Sequence, residues 1–304
     1  MQPFCKCPML TKMKYDIVLP VALNHINISF LAIHSLIKNA NTRKIYVITE
    51  KKNFLYFSTL IDKGHPIILL DQNSLIDSIN IENIENYIKC KGENPNRGGW
   101  YLQQFIKMGA CYIPNISDYY LVWDSDTIMV RPITFISNDG NVFIYTISEY
   151  NPLYFDIYYD TYYKIFRRKR SVNFSYISNH FMIKKEYMKE LIVEIENNFS
   201  SDKSWVWKIM DSIEVQHLSR YGFSEFETYG NFVNSTFPNS FTYRPLSWLR
   251  NATMKYGIHP NKYDLYDISL KYSYATFETY CKRNFFKIMI RKVISFLKYI
   301  RSKR

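Results

Sequence analysis

The chain has 304 residues, enough for one large domain or one domain with a small extension, and 47% apolar residues allow a full core. Its net charge of +12 sits mostly at one end: residues 281–304 carry nine Lys and Arg and no acid, leaving 30 basic against 27 acidic residues elsewhere, which argues against a nucleic-acid-binding body. Five scattered cysteines (Cys5, Cys7, Cys90, Cys111, Cys281) lack zinc-site spacing and point to a reducing compartment; no apolar run is long enough to cross a bilayer, and no signal-peptide core opens the chain.

Residues 1–13 read as a loose lead-in, 14–279 as one domain and 280–304 as a separate basic helix. Tyr15–Pro20 is a buried first strand that ends at a proline and a loop, Val21 to His25. A helix is expected from Ile28 to Ile37, a second strand over Lys44–Thr49, a helix around Phe54–Asp62 and a third strand over Pro66–Asp71. Short continuous apolar strands alternating with helices imply a parallel sheet covered on both faces, with ligand expected at the loops after the strands. Residues 73–96 are polar and Asn-rich and read as a long irregular connection.

Arg97-Gly98-Gly99-Trp100-Tyr101-Leu102-Gln103-Gln104-Phe105-Ile106-Lys107 follows. The glycines break structure and a helix then begins, with Leu102, Phe105, Ile106 and Gly109 on one face. It is either an ordinary amphipathic helix or one that presents Arg97 and Lys107 to phosphates and Trp100, Gln103 or Gln104 to sugar or base.

The next strand, Tyr119 to Trp123, runs into Asp124-Ser125-Asp126. Side chains two apart on a strand share a face, so the two aspartates are expected to converge on one hard cation while Ser125 faces away. Mg²⁺ or Mn²⁺ takes such oxygen ligands together with substrate phosphates. The alternative is a solvated turn, the commoner fate of an isolated Asp-x-Asp.

Beyond it a strand is expected over Val142–Ser148, then a Tyr-rich segment to residue 176 whose basic run, Phe166–Arg170, reads as a solvated mobile loop or a lid. Ile177–Met182 returns to the sheet and a core-facing helix starts near Lys185. Ser224-Glu225-Phe226-Glu227-Thr228-Tyr229-Gly230 can open a helix, with Ser224 as cap and Glu227 at capping-box distance; this leaves Glu225 free to serve as a general base. Residues 240–279 show little periodicity, and His259-Pro260 lies in a loop. Near the end, Phe286, Met289 or Ile290, Val293, Leu297 and Ile300 form a stripe flanked by Lys287, Arg291, Lys298 and Arg301. Such a helix lies on an anionic membrane surface, with salt-sensitive attachment, or packs on the domain.

Four blocks in this order, Arg97–Gln104, Tyr120–Asp126, Ser178–His180 and Ser224–Gly230, give the chain a resemblance to GT-A type glycosyltransferases over roughly residues 14–260. It is similar, more narrowly, to a set of bacterial and viral sugar transferases; its Ser178-Asn179-His180 spacing is one residue shorter than theirs. The resemblance implies a Rossmann-like α/β fold, a nucleotide-sugar donor, Mn²⁺ or Mg²⁺, and transfer to a hydroxyl acceptor; with the basic helix, the first expectation is a glycan or lipid-linked acceptor at the cytoplasmic membrane face. It implies that Asp126 touches the metal directly and Asp124 acts through water or the ribose, with His180 or His259 as a third ligand. Arg97 and Lys107 would then pair with the diphosphate, Asp71 would reach base or ribose, and Pro20 and Val21 would lie near the nucleotide. Glu225, with Glu227 second, is the base if transfer inverts; the absence of the glycogenin-like His-Phe-x-Gly-x-x-Lys-Pro-Trp pattern favours inversion.

Two other readings compete. A nucleotidyl- or phosphotransferase also uses acid pairs and Mg²⁺, but only nine glycines occur and none forms a phosphate-binding loop. A non-catalytic membrane-surface module with a decayed site is the third.

Overall fold

The computed structural model of the chain describes residues 13–137, 143–149, 151–279 and 285–303. The lead-in before Met13, Cys5, Cys7, Cys281, Lys282, Arg283 and Arg304 lie outside the described residues. In chain order the first elements are β1 (Tyr15–Pro20), α1 (Ile26–Asn39), β2 (Thr42–Thr49), α2 (Ser58–Asp62), β3 (Ile67–Asp71), α3 (Ile81–Cys90), α4 (Gly98–Gly109), β4 (Tyr119–Trp123) and β5 (Thr127–Met129). Next come β6 (Phe143–Ile147), α5 (Pro152–Phe166), β7 (His180–Lys184), α6 (Lys185–Asn197), α7 (Trp205–Ser212) and α8 (Glu225–Thr236). The chain closes with β8 (Phe241–Pro245), β9 (Trp248–Leu249), α9 (Thr253–Tyr256), α10 (Lys262–Ser269), β10 (Tyr274–Thr276) and α11 (Phe285–Arg301).

The expected mostly parallel sheet is present, in the order β3-β2-β1-β4-β7. Strands β1 to β4 are parallel and β7 closes one edge antiparallel to β4. Every residue of β1 is buried, as a central strand covered on both faces requires. From β1 the chain builds outward through β2 and β3, then returns past them to lay β4 on the other side of β1. That reversal makes a crevice at the carboxyl ends of β1 and β4, where open α/β sheets hold ligands.

After β4 the chain leaves this sheet. The Asp-Ser-Asp turn carries it into a second sheet, β5-β10-β9, in which Thr127 pairs with Thr276 and Ile128 with Ala275. Helix α1 fastens the two sheets: Met129 donates its backbone N–H to Ser35 Oγ at 3.0 Å, and its carbonyl accepts from Asn39 Nδ2 at 2.8 Å. A third, two-stranded sheet pairs β6 with β8.

Several expectations need correction. The connection over 73–96 contains α3: Ile84 and Ile88 are buried on one face, and Asn80 caps it by accepting from Asn83 N–H at 2.9 Å. The Tyr-rich segment, left without an element, holds helix α5 over Pro152–Phe166. The basic run after it is irregular and tied to the domain in part, with Arg168 3.0 Å from Glu194 and Arg170 5.0 Å over the ring of Tyr159, while Arg167 and Lys169 are exposed. Residues 240–279 do hold regular elements, each too short to show a period.

Candidate active site

Trp123 ends β4 with its indole N–H donating to the carbonyl of Thr127 at 2.7 Å, and Thr127 N–H reaches Asp124 O at 3.0 Å. Asp124-Ser125-Asp126 is therefore a closed turn between two sheets, not the continuation of a strand. The turn, rather than strand alternation, sets the directions of the aspartates. Ser125 does not face away: it is buried and its Oγ lies 3.4 Å from Nδ1 of His25, on the short turn after β1. That contact crosses the crevice between β1 and β4.

Asp124 is held from two sides. Lys107 Nζ lies 2.7 Å from its Oδ1, and Asn179 Nδ2 donates to its Oδ2 at 3.0 Å. Asn179 reaches it from a left-handed backbone position, φ 60°, a conformation asparagine tolerates better than most residues. Lys107 also lies 2.7 Å from Oε1 of Glu225, so one buried ammonium bridges two acids contributed by the end of β4 and by α8. Burial opposes that charge, but Asp124 and Glu225 together outweigh it and hold the lysine well above its ordinary pKa. Burial also raises Glu225, with Lys107 acting against the rise. Gln104 completes the arrangement: its Oε1 accepts the backbone N–H of Glu225 at 3.1 Å, while its Nε2 is buried without a partner among the described residues.

Asp126 has a different setting. It is 8% exposed, and its carboxyl is pushed up to about 7, first by burial and then by the charges of Asp124 and Glu278. Glu278 arrives just past β10, the strand that pairs with β5: Phe277 N–H donates to the carbonyl of Asp126 at 2.8 Å. Among the described residues no three His, Cys, Asp or Glu side chains are closed around one point that could hold a metal ion. The donor chemistry nonetheless fits a hard divalent cation, because buried carboxylates press on one another here and the groups acting on Asp126 are acids and a hydroxyl.

A pocket runs along the carboxyl ends of β1, β2 and β3. It is lined by Pro20, Val21 and Leu23, by Glu50, Asn53 and Gln72, and by Ile81, Gly99, Leu102, Gln103 and Ile106 from α3 and α4. Pro20, Val21 and Gln103 are thus placed together, on the walls of one pocket.

Other expected residues have partners within the protein. Asp71 spends its carboxylate on the next turn, accepting from Asn73 N–H at 3.2 Å. Arg97 stacks over Trp100 (5.6 Å) and Tyr221 (5.1 Å) at the start of α4. Lys107 is committed to two acids rather than free for phosphates. His180 is not beside the aspartates: it pairs with Trp123 in the sheet, stacks on its ring at 5.0 Å and bonds Thr146 Oγ1 through Nε2 at 2.9 Å. Burial lowers its pKa to about 3, so it is neutral, enclosed by Trp123, Phe135 and Tyr274. His259 is exposed, with its carbonyl 3.4 Å from Lys292 Nζ. Glu227 accepts from Ser175 Oγ, from Tyr176 N–H at 3.1 Å and from Tyr159 OH at 2.7 Å; its oxygens bind three parts of the core and cannot serve as a base.

Sequence reasoning missed His25, Asn179 and Glu278. His25 left a signal, since it ends the loop expected to meet ligand, and Asn179 lay inside the Ser178–His180 block; the roles of Asn179 and Glu278 depend on pairings across long separations.

A family of unknown function, DUF6492, matches residues 12–290 of the chain. No curated protein matches it. Among solved structures it is similar to mouse xyloside xylosyltransferase 1 in its apo form, at 12% identity over 86% of this chain and 97% of that one, TM-score 0.47. It is also similar to the galactosyltransferase LgtC with donor and acceptor sugar analogues, at 13% identity over 88% of each chain, TM-score 0.43. A third likeness is to the glycosyltransferase GlyE of Streptococcus pneumoniae TIGR4, at 14% identity over 88% of this chain and 56% of that one, TM-score 0.43.

Proposed function

We propose that this chain, which belongs to the family of unknown function DUF6492, is a GT-A type glycosyltransferase that moves a sugar from a nucleotide-sugar donor to a hydroxyl of a glycan or lipid-linked acceptor. One observation carries the reading. A pocket after β1 to β3 is walled by α4, and the same helix carries Lys107, which joins Asp124 of the Asp-Ser-Asp turn to Glu225. A phosphotransferase reading has no comparable support, because among the described residues no glycine-rich phosphate loop lines the pocket.

The nucleoside occupies the pocket walled by Val21, Leu102 and Ile106, with Gln103, Asn53 and Gln72 as its polar edge. Asp126, with Glu278 and Asp124 close by, would hold Mn²⁺ or Mg²⁺. When bound, that cation supplies positive charge against the departing diphosphate. Asn179 and Lys107 fix Asp124 between them, so its carboxylate cannot swing as charge develops nearby. Glu225 is the base. Lys107 holds its Oε1, and Oε2 takes the proton of the acceptor hydroxyl as the acceptor oxygen bonds to the anomeric carbon and the diphosphate oxygen leaves it. A single displacement with one base inverts the anomeric centre.

The test is a panel of nucleotide-sugars assayed with Mn²⁺. The expected result is donor hydrolysis or transfer with one nucleotide class, reduced at least about a hundredfold in Asp126→Asn. Full activity in that variant removes Asp126 from the mechanism, and cleavage of plain triphosphates alone would replace sugar transfer with phosphotransfer.

A further inference from the structure

Helix α11 docks on the domain through its charged side. Arg291 pairs with Asp267 and donates to Tyr256 OH at 3.0 Å; Lys298 lies 2.6 Å from Asp267 and Lys292 2.9 Å from Asp264. Both acids are buried, and of the helix itself Ile288 and Ser295 are the buried residues. The opposite side is apolar and bare: Phe286 is 76% exposed, Met289 65%, Val293 58% and Leu297 49%. With Ile290 and Ile300 they form one continuous stripe at helical spacing. Single exposed apolar residues are ordinary, but a contiguous ridge of this kind marks a contact with something else.

From this arrangement we infer that the apolar ridge of α11 is the seat of a lipid bilayer interface, entered by the ridge rather than held by charge. The occupant follows from electrostatics. The helix carries no acid, and Arg301 and Lys303 stand at the carboxyl end of the stripe. A second copy packed ridge to ridge would set like charges against each other, whereas phosphate headgroups neutralise them. No helix of the described residues is long and apolar enough to cross a membrane, so α11 lies along the surface. Its three central cations are engaged with Asp264 and Asp267, which removes them from headgroup contact and makes attachment depend weakly on salt. This inference is independent of the sugar-transfer reading.

The experiment uses the full chain with phosphatidylcholine vesicles, with and without phosphatidylglycerol, at low and high salt. Co-sedimentation with the neutral vesicles is expected, changing less than about threefold at high salt. Replacing Met289, Val293 and Leu297 together by Ser is expected to weaken it at least about tenfold while circular dichroism is unchanged. A second reading needs no loss of binding: in Phe286→Trp, the indole emission should shift to the blue on vesicles. No vesicle binding, binding only to anionic vesicles at low salt, unshifted emission, or a solution dimer abolished by the triple substitution would each overturn the proposal.

Discussion

Lys107 lies at the centre of the candidate site, 2.7 Å from one oxygen of Asp124 and 2.7 Å from one of Glu225, with the face of Phe226 4.5 Å beneath it. Two acids and one buried base leave a net negative charge in a setting largely closed to water. Lys107→Met should cost roughly 3–5 kcal/mol in urea unfolding, because it strands two carboxylates there; Lys107→Met with Glu225→Gln should recover part of that loss. A loss under about 1 kcal/mol would show the bridge to be solvated. Asp126 gives a pH test. Its folded carboxyl titrates at about 7, above its unfolded value, so its protonated form favours folding at low pH and that contribution is lost as pH rises through about 7. A cation must displace the same proton. Mn²⁺ affinity, read by isothermal titration, should therefore tighten about tenfold between about pH 6 and about pH 8, and in Asp126→Asn this pH dependence should vanish. The aspartates were legible in the sequence as a pair; their unequal settings were not, because those come from Asn179, Lys107 and Glu278, distant along the chain.

Helix α8 shows how one sequence block divides its labour. Ser224 caps it by accepting from Glu227 N–H at 3.3 Å, and the two acids of its first turn then point into different surroundings. Glu225 meets Lys107 at the site, whereas Glu227 ties α5, Ser175 and Tyr176 together inside the core. Gly230 serves the core as well, since a Cβ there would come within 2.3 Å of the Tyr176 ring, a buried aromatic that cannot swing away. Gly230→Ala should cost about 1–3 kcal/mol, measured by denaturant, with the Mn²⁺ affinity of the folded protein unchanged. The contrast between the acids is sharper. Glu225→Gln should abolish transfer in a protein that folds, while Glu227→Gln should lower stability by about 1–3 kcal/mol and leave the turnover of folded molecules within a few-fold. The reverse outcome would exchange their roles. The capping signal, Ser followed three residues on by Glu, was readable in the sequence and set Glu225 apart from Glu227, but the partners of each, Lys107 on one side and Ser175, Tyr176 and Tyr159 on the other, are distant along the chain and were not. For α3 the helical spacing of Ile81, Ile84 and Ile88 was present and was masked by the asparagines between them.

At the scale of the whole molecule, the parallel order of the first strands was readable from their unbroken apolar runs, whereas the second sheet was not, since β5, β9 and β10 are two or three residues each and gain their identity only by pairing. The same limit governs α11. Its stripe was visible, but which side faced the domain was decided by Asp264 and Asp267, which sequence reading left unassigned. Burial works against the Asp267 carboxylate, yet Lys298, Tyr256 and Arg291 together hold it below its ordinary range. The stability this gives is present at neutral pH and is lost as pH falls through the folded value. The basic tail is therefore not a detachable appendage. Ending the chain after Thr279 would leave Asp267 and Asp264 without their cations, at a cost of roughly 3–5 kcal/mol for a buried pair broken from one side. In a domain of this size that corresponds to a fall in melting temperature on the order of 10 °C. Asp264→Asn and Asp267→Asn in the shortened chain should restore much of that loss, since the neutral amides need no counter-charge. An unchanged melting temperature on truncation would mean that α11 leaves the domain readily in solution, and that its charged side is available to a membrane as well as its apolar ridge.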